Sequence, residues 1–267
     1  MTLDLDARLA RASEIAKEAG ALALHHFQNR DRLAIETKRH VTDLVSEADR
    51  AVEVLIRDAL TAAFPEDAQL GEEHGESPGT SGLTWVIDPI DGTAPYLNGL
   101  PGWCVSIGAC DADGPVIGVI HAPVLDEVFV AARGRGATLN GAPMRAAAGD
   151  LRSGLLGIGA NDRVPAARVG EMVTRLMEAE AAWTRYGSGA LMLAWVAAGR
   201  LVGYAEPRMS AWDCMAGYAL ILEAGGKVRP FPQGAAIAHP APVLGAGPGA
   251  FAELVSLTRF SDDACWA

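Results

Sequence analysis

The stretch TWVIDPIDGTAPYL, residues 84–97, decides how the chain is read. Its opening WVI is an uninterrupted apolar run, the mark of a strand buried on both faces rather than one alternating between core and solvent. Asp88 ends that run and Pro89 follows at once, so a carboxylate is set at a strand end, where α/β proteins commonly hold ligands. An unpaired carboxylate there is costly, and a metal ion is the usual remedy. Asp91 is near enough for both acids to face one cation or for Asp88 to bridge two, and the turn between them offers the Ile90 carbonyl as another hard oxygen. Oxygen-only ligation points to Mg²⁺, Mn²⁺ or Ca²⁺ rather than zinc or copper. Asp91 also reads as the cap of a short helix that tolerates Pro95 in its first turn. Gly92 and Thr93 would then present free N–H groups at a helix start, where phosphate is favoured. On this stretch alone the alternative stays open, in which Asp88 merely ends a strand and Asp91 merely caps a helix.

Two further acidic positions flank it. Glu72 and Glu73 follow Gly71 and open the turn-rich loop EEHGESPGTSG that leads into the strand. By itself this pair reads as a solvated acidic loop. Asp213 stands at a predicted helix start beside Trp212, which would pack that start and aim the carboxylate. Upstream, apolar spacing predicts a helix over about residues 5–27 and another over about 44–63, opened by Thr42 or Asp43 and closed by Pro65, with LAIETK as a short strand between them. Downstream, WCVSIGAC, PVIGVIHAP and EVFVAAR alternate with turns and read as a mostly antiparallel sheet. The second half differs: GLLGIG and LVGYAE read as strands, and about 166–179, 188–198 and 212–224 as helices, the last ended by Gly225 and Gly226. The segment ARGRGATLNGAPMRAAAGD marks the boundary between an N-terminal α+β half (1–145) with the metal-binding motifs and a C-terminal α/β half (146–267) that completes the site, the two forming one compact unit.

Composition narrows the function. Half of the 267 residues are hydrophobic and 21% are charged, which excludes a disordered chain. A net charge of −11 works against binding nucleic acid or an anionic membrane and fits the recruitment of divalent cations. No apolar run approaches the roughly 18 residues a membrane helix needs, and the charged N-terminus does not resemble a signal peptide, so a cytoplasmic protein with free thiols is expected. The four cysteines have no CxxC spacing: Cys104 and Cys110 read as small core side chains and Cys265 as a tail residue. The histidines offer no metal pair at helical spacing: His25 and His26 point to different helix faces, and His74 reads as solvated. Trp85, Trp103, Trp183 and Trp195 lie in apolar runs and read as core.

Four blocks in one order resemble the inositol monophosphatase family of metal-dependent, lithium-sensitive phosphomonoesterases: TDLVSEAD with Lys38 upstream, GEE at 71–73, WVIDPIDGT at 85–93, and AWDCMAG followed by EAGG within 211–226. YGSGALMLAWVAAGRLVGYAE is similar to the family's substrate-side segment. The resemblance implies a layered αβαβα sandwich, an α+β fold of the sugar phosphatase type, usually a homodimer. It implies two or three Mg²⁺ ions, with Mn²⁺ as the alternative: Glu72, Asp88 and the Ile90 carbonyl on the first, Asp88, Asp91 and Asp213 on the second, and a weaker third near Glu72. Glu72 and Thr93 would orient and deprotonate the attacking water at the Asp88 site, and the Gly92 and Thr93 amides would bind phosphate. Gly187, Ser188, Gly189, Ala190, Glu206 and Asp213 would contact the substrate, while Lys38, Asp49, Glu73 and Trp212 would support the site from behind. Two cations of this kind clamp an in-line displacement.

The implied reaction is hydrolysis of a small phosphorylated metabolite, inositol monophosphate first, with histidinol phosphate, fructose 1,6-bisphosphate and 3′-phosphoadenosine 5′-phosphate as rivals. A different class, a non-catalytic regulatory or RNA-associated relative, is also represented in this fold; every expected ligand is present here, and the charge disfavours nucleic acid. The chain departs from the family pattern after DGT, where Ala94, Pro95, Tyr96 and Leu97 replace the usual Asn-Phe.

Overall fold

The computed structural model describes residues 4–30 and 47–260, together with the backbone of two short strands at 35–37 and 44–46. Helix α1 (Leu5–Gln28) starts where the Asp4 carboxylate accepts the Ala7 amide, and it buries the stripe Ala12, Ile15, Ala16, Ala19 and Ala23. Strands β1 (Ile35–Thr37) and β2 (Leu44–Ser46) pair antiparallel. Helix α2 therefore covers Glu47–Ala63, not residues from 44 onward: pairing with β1 extends a segment whose apolar spacing alone continued the helix. The suggested caps Thr42 and Asp43 lie outside the described residues.

The first sheet has eight strands. Along the chain they are β3 (Ala68–Gly71), β4 (Gly75–Ser77), β5 (Thr84–Asp91), β6 (Cys104–Asp111), β7 (Gly114–Ala122), β8 (Glu127–Ala132), β9 (Gly136–Leu139) and β10 (Ala142–Pro143). Their order is β10-β9-β8-β7-β6-β5-β3-β4, with β3 parallel to β5 and the other neighbours antiparallel. Strand β5 is buried from Trp85 to Asp91, which is why its sequence does not alternate. It runs past Asp88, with a register shift between Asp88 and Asp91, and leads into the short helix α3 (Thr93–Leu97).

The second sheet is built from β11 (Leu155–Ile158), β12 (Ala182–Thr184), β13 (Gly203–Met209), β14 (Lys227–Val228) and β15 (Ala241–Ala246), in the order β12-β11-β13-β15-β14. Helices α4 (Ala166–Glu178), α5 (Gly189–Ala197), α6 (Ala211–Glu223) and α7 (Phe251–Thr258) complete the chain. Helices α1 and α2 cover one face of the first sheet, α5 and α6 lie between the two sheets, and α4 and α7 cover the far face of the second. The result is the expected αβαβα sandwich.

The middle layer sits close because two strands lack side chains where α6 crosses. A Cβ on Gly118 would collide with the Ala216 carbonyl, and one on Gly108 would stand 2.9 Å from the Ala216 nitrogen. Trp85 and Trp103 are fully buried and Trp195 is half-buried, but Trp183 is 39% exposed because it belongs to the edge strand β12. Cys104, Cys110 and Cys214 are buried free thiols; Cys265 lies outside the described residues. No helix among the described residues is long and apolar enough to cross a membrane.

Candidate active site

Three carboxylates from three elements converge. Glu72 follows the end of β3, where its amide donates to the Ile87 carbonyl at 3.2 Å and so continues the parallel pairing with β5. Asp88 lies in β5 and Asp213 in the first turn of α6, where its Oδ2 accepts the Ser210 amide at 2.9 Å. One oxygen from each of Glu72, Asp88 and Asp213 lies within 4.8 Å of the others. Burial, together with the charges of Glu72, Asp91 and Asp213, holds the Asp88 carboxyl well above the usual carboxylate range. Burial, with the charges of Glu72 and Asp91, does the same to Asp213. Like charges this close in a low dielectric favour either protonation or a cation.

Asp91 is placed differently from its neighbours. It does not cap α3, whose N-cap is Gly92 in the left-handed region (φ 95°) with no side-chain cap. A register shift in β5 turns Asp91 toward the second half of the chain, where its Oδ2 accepts the Ser188 hydroxyl and the Ala190 amide (2.6 Å). Burial raises its pKa, and these donors moderate the rise. Ser188 is itself the N-cap of α5 and accepts the Leu191 amide at 3.3 Å. Beside Asp88, the Ile90 amide donates to Asp88 Oδ1 at 3.0 Å, and the Thr93 hydroxyl donates to the Ile90 carbonyl at 3.3 Å.

The residues that depart from the family pattern fasten this turn to the first layer. The Tyr96 hydroxyl donates to the Ala23 carbonyl of α1 at 2.8 Å, and its ring meets Trp103 edge-on with centroids 4.8 Å apart.

Behind the trio, Asp49 is buried in the first turn of α2, and its charge helps raise Asp88. Glu73 donates its backbone N–H to Glu53 Oε2 at 2.7 Å. Trp212 packs against the central core and accepts the Ser106 hydroxyl at its carbonyl. Lys38 lies outside the described residues.

Glu53 was not read from the sequence. It is fully buried on α2 and accepts the amides of Glu73 and His74, with Arg57 Nη1 and His74 Nδ1 each 3.3 Å from its Oε1. Its position on the apolar stripe of Val52, Ile56 and Leu60 was the available signal.

A cavity of about 530 Å³ opens beside the trio, and Glu72, Asp91, Gly187, Ser188, Gly189, Glu206 and Asp213 are on its wall. Ala190 is fully buried and reaches the site through its amide. Glu206 is held on both oxygens: the Tyr204 hydroxyl donates to Oε2 at 2.6 Å and Asn161 Nδ2 to Oε1 at 3.1 Å. Burial pushes the Glu206 carboxyl up to about 7 despite these donors. Tyr204 and Asn161 were also unread, because β13 reads as ordinary core and the loop after β11 carries no motif.

The sequence profile of the inositol monophosphatase family matches residues 4–260. The chain belongs to the inositol monophosphatase family. Among its relatives, Nus factor SuhB of Haemophilus influenzae is 35% identical over 228 residues, which are 84% of this chain and 85% of that one. Inositol monophosphatase 2 of Solanum lycopersicum is 37% identical over 227 residues, 81% of this chain and 84% of that one. The crystal structure of the extragenic suppressor protein suhB from Bartonella henselae superposes with a TM-score of 0.85 at 30% identity, covering 95% of this chain and 98% of that one. In this inositol monophosphatase family member the all-oxygen donor set, crowded, with Asp88 buried and Glu72 and Asp213 half-buried, fits a hard divalent cation.

Proposed function

We propose that the protein is a Mg²⁺-dependent phosphatase that hydrolyses a small phosphate monoester, inositol monophosphate first among the candidates. The convergence of Glu72, Asp88 and Asp213 carries this reading. These three, with Asp91 and the Ile90 carbonyl, would hold two or three Mg²⁺ ions, or Mn²⁺ in their place. When bound, such ions lower the pKa of water and neutralise charge building on a phosphoryl group. In this reading Glu72 takes the proton of the attacking water and the Thr93 hydroxyl orients that water. The Gly92 and Thr93 amides bind the phosphate oxygens. Ser188 and Ala190 hold Asp91 in place, and Glu206 faces the alcohol part of the substrate. Family membership supports lithium inhibition and a homodimer, and a cytoplasmic location belongs to the same reading.

The test is phosphate release from inositol 1-phosphate, histidinol phosphate, fructose 1,6-bisphosphate and 3′-phosphoadenosine 5′-phosphate, with Mg²⁺ or EDTA. Metal-dependent turnover of one of them, abolished by Asp88→Asn, is the expected result. Turnover that persists in EDTA, or in the variant, would overturn it. A single turnover in ¹⁸O-labelled water should label the released phosphate.

The name Nus factor SuhB carried by relatives such as that of H. influenzae favours a second reading, a regulatory role through a binding partner. An Asp88→Asn protein that restores the phenotype of a deletion strain would assign the essential role to binding. The net charge of −11 supports a protein partner over direct contact with nucleic acid.

A further inference from the structure

Three arginines, Arg163, Arg185 and Arg208, are among the residues on the wall of the same cavity as Glu72 and Asp213. That is a concentrated share of the basic side chains in a chain with 22 lysines and arginines against 33 acidic residues. The loop after β11 meets two of them, Arg185 through its side chain and Arg208 through its backbone. Arg185, exposed just before α5, donates Nη2 to the Ala160 carbonyl at 3.2 Å. Arg208, near the end of β13, accepts Asn161 Nδ2 at its carbonyl over 2.7 Å.

Among the described residues neither Arg185 nor Arg208 is in an ion pair, and Arg208 Nε is buried without a hydrogen-bond partner. Glu206 accepts from Tyr204 and Asn161, and the charge of Arg185 acts on it from a distance without a hydrogen bond or ion pair between them. A buried guanidinium N–H without an acceptor is destabilising. The planar fork of donors on arginine suits a carboxylate or phosphate, which accepts two N–H groups at once, far better than a neutral polyol.

We propose that the substrate is a phosphate monoester carrying a second anionic group, a carboxylate or a second phosphate, bound by Arg185 and Arg208 beside Asn161. This rests on the phosphatase reading for the first phosphate alone. The cavity, about 530 Å³, is of the size that holds small metabolites.

Titration calorimetry in Mg²⁺ tests this without turnover. Phosphonoacetate, 3-phosphonopropionate, 4-phosphonobutyrate and propane-1,3-diphosphonate are compared with ethyl-, propyl- and butylphosphonate. At least one doubly anionic probe should bind about tenfold or more tightly than its alkyl counterpart, and which one does so distinguishes a carboxylate from a second phosphate. Arg185→Gln/Arg208→Gln should remove that advantage, whereas Arg11→Gln/Arg135→Gln, which removes the same two charges from the surface away from the cavity, should keep it. Single Arg→Lys variants, which keep the charge and lose the fork, should retain only part. Equal affinity across the series in the unmodified protein would overturn the proposal. So would an advantage that survives the double variant, since the second anion would then sit elsewhere. Preferential binding by a protein that turns over no phosphate ester would leave this subsite standing and remove the phosphatase reading.

Discussion

The backbone N–H of Ala190 donates to Asp91 Oδ2 over 2.6 Å, joining the end of β5 to the start of α5 across 99 residues of chain. The Ser188 hydroxyl donates to the same oxygen. The loop segment read as a substrate contact therefore also holds a carboxylate in place. A helix start is well suited to this, because its first amides lack partners within the helix.

Ser188→Ala should lower the free energy of unfolding by about 1–2 kcal/mol, because it removes both the cap of α5 and a donor to a buried carboxylate. Urea unfolding in EDTA measures it. A side chain whose only role was to touch substrate would leave that stability unchanged.

Three aspartates of the site, Asp88, Asp91 and Asp213, give the metal-free protein a distinctive pH dependence. Asp88, Asp91 and Asp213 all have pKa values raised by folding, so the folded state binds more protons than the unfolded one. Their contribution to stability in EDTA should be greatest at low pH and fall as pH rises above the ordinary carboxylate range, opposite in sign to that of Asp6, Asp67 and Asp111, whose pKa values are lowered by arginine partners. Mg²⁺ should restore it. Asp88→Asn removes one of the crowded charges, so the metal-free variant should be more stable than the parent at pH 8, on the order of 1–3 kcal/mol. Its melting temperature should respond little to Mg²⁺. Differential scanning fluorimetry with Mg²⁺ or EDTA reads both effects.

Glu206 adds a second, separable titration. Its carboxyl is raised from 4.5 to about 7, so it destabilises the folded protein increasingly as pH climbs through that interval. Glu206→Gln should flatten the stability profile between these two values and gain up to about 3 kcal/mol at pH 8. A variant profile parallel to that of the parent would show that this carboxyl is not the group titrating.

Glu53→Ala should be among the most damaging single changes away from the trio. It strands the Glu73 and His74 amides and takes the carboxylate partner from Arg57, which keeps the Gly75 carbonyl and the Ser77 hydroxyl, a loss of about 2–4 kcal/mol. Because that loop carries Glu72, Mg²⁺ affinity by calorimetry should fall along with stability, although Glu53 is not one of the proposed ligands.

Much of this was legible in order along the chain. The apolar run at 85–87 set a buried strand, and Asp88 and Asp91 stood out because acids have no packing reason to follow it. Helical spacing located α1 and the later helices, since period and caps are local properties. Local signals failed where pairing overrode them: 44–46 became a strand through β1, and Trp183 came to the surface because β12 is an edge. Strands β14 and β15 and helix α7 carried too little periodicity to be read.

The sequence by itself determined which residue types were available: the acids in three separated blocks, the glycine before Thr93 and the apolar stripes that form layers. Only the tertiary structure decided their partners. It drew Glu72, Asp88 and Asp213 within 4.8 Å of one another, turned Asp91 toward Ser188 and Ala190, and placed Glu53 under the Glu73 loop. The reason is that α6 and α5 are fixed by the sheets on either side, where glycines at 108 and 118 let α6 come close to the first sheet. Spacing along the chain encodes period and capping, but distances between elements far apart in sequence are set by how their side chains pack.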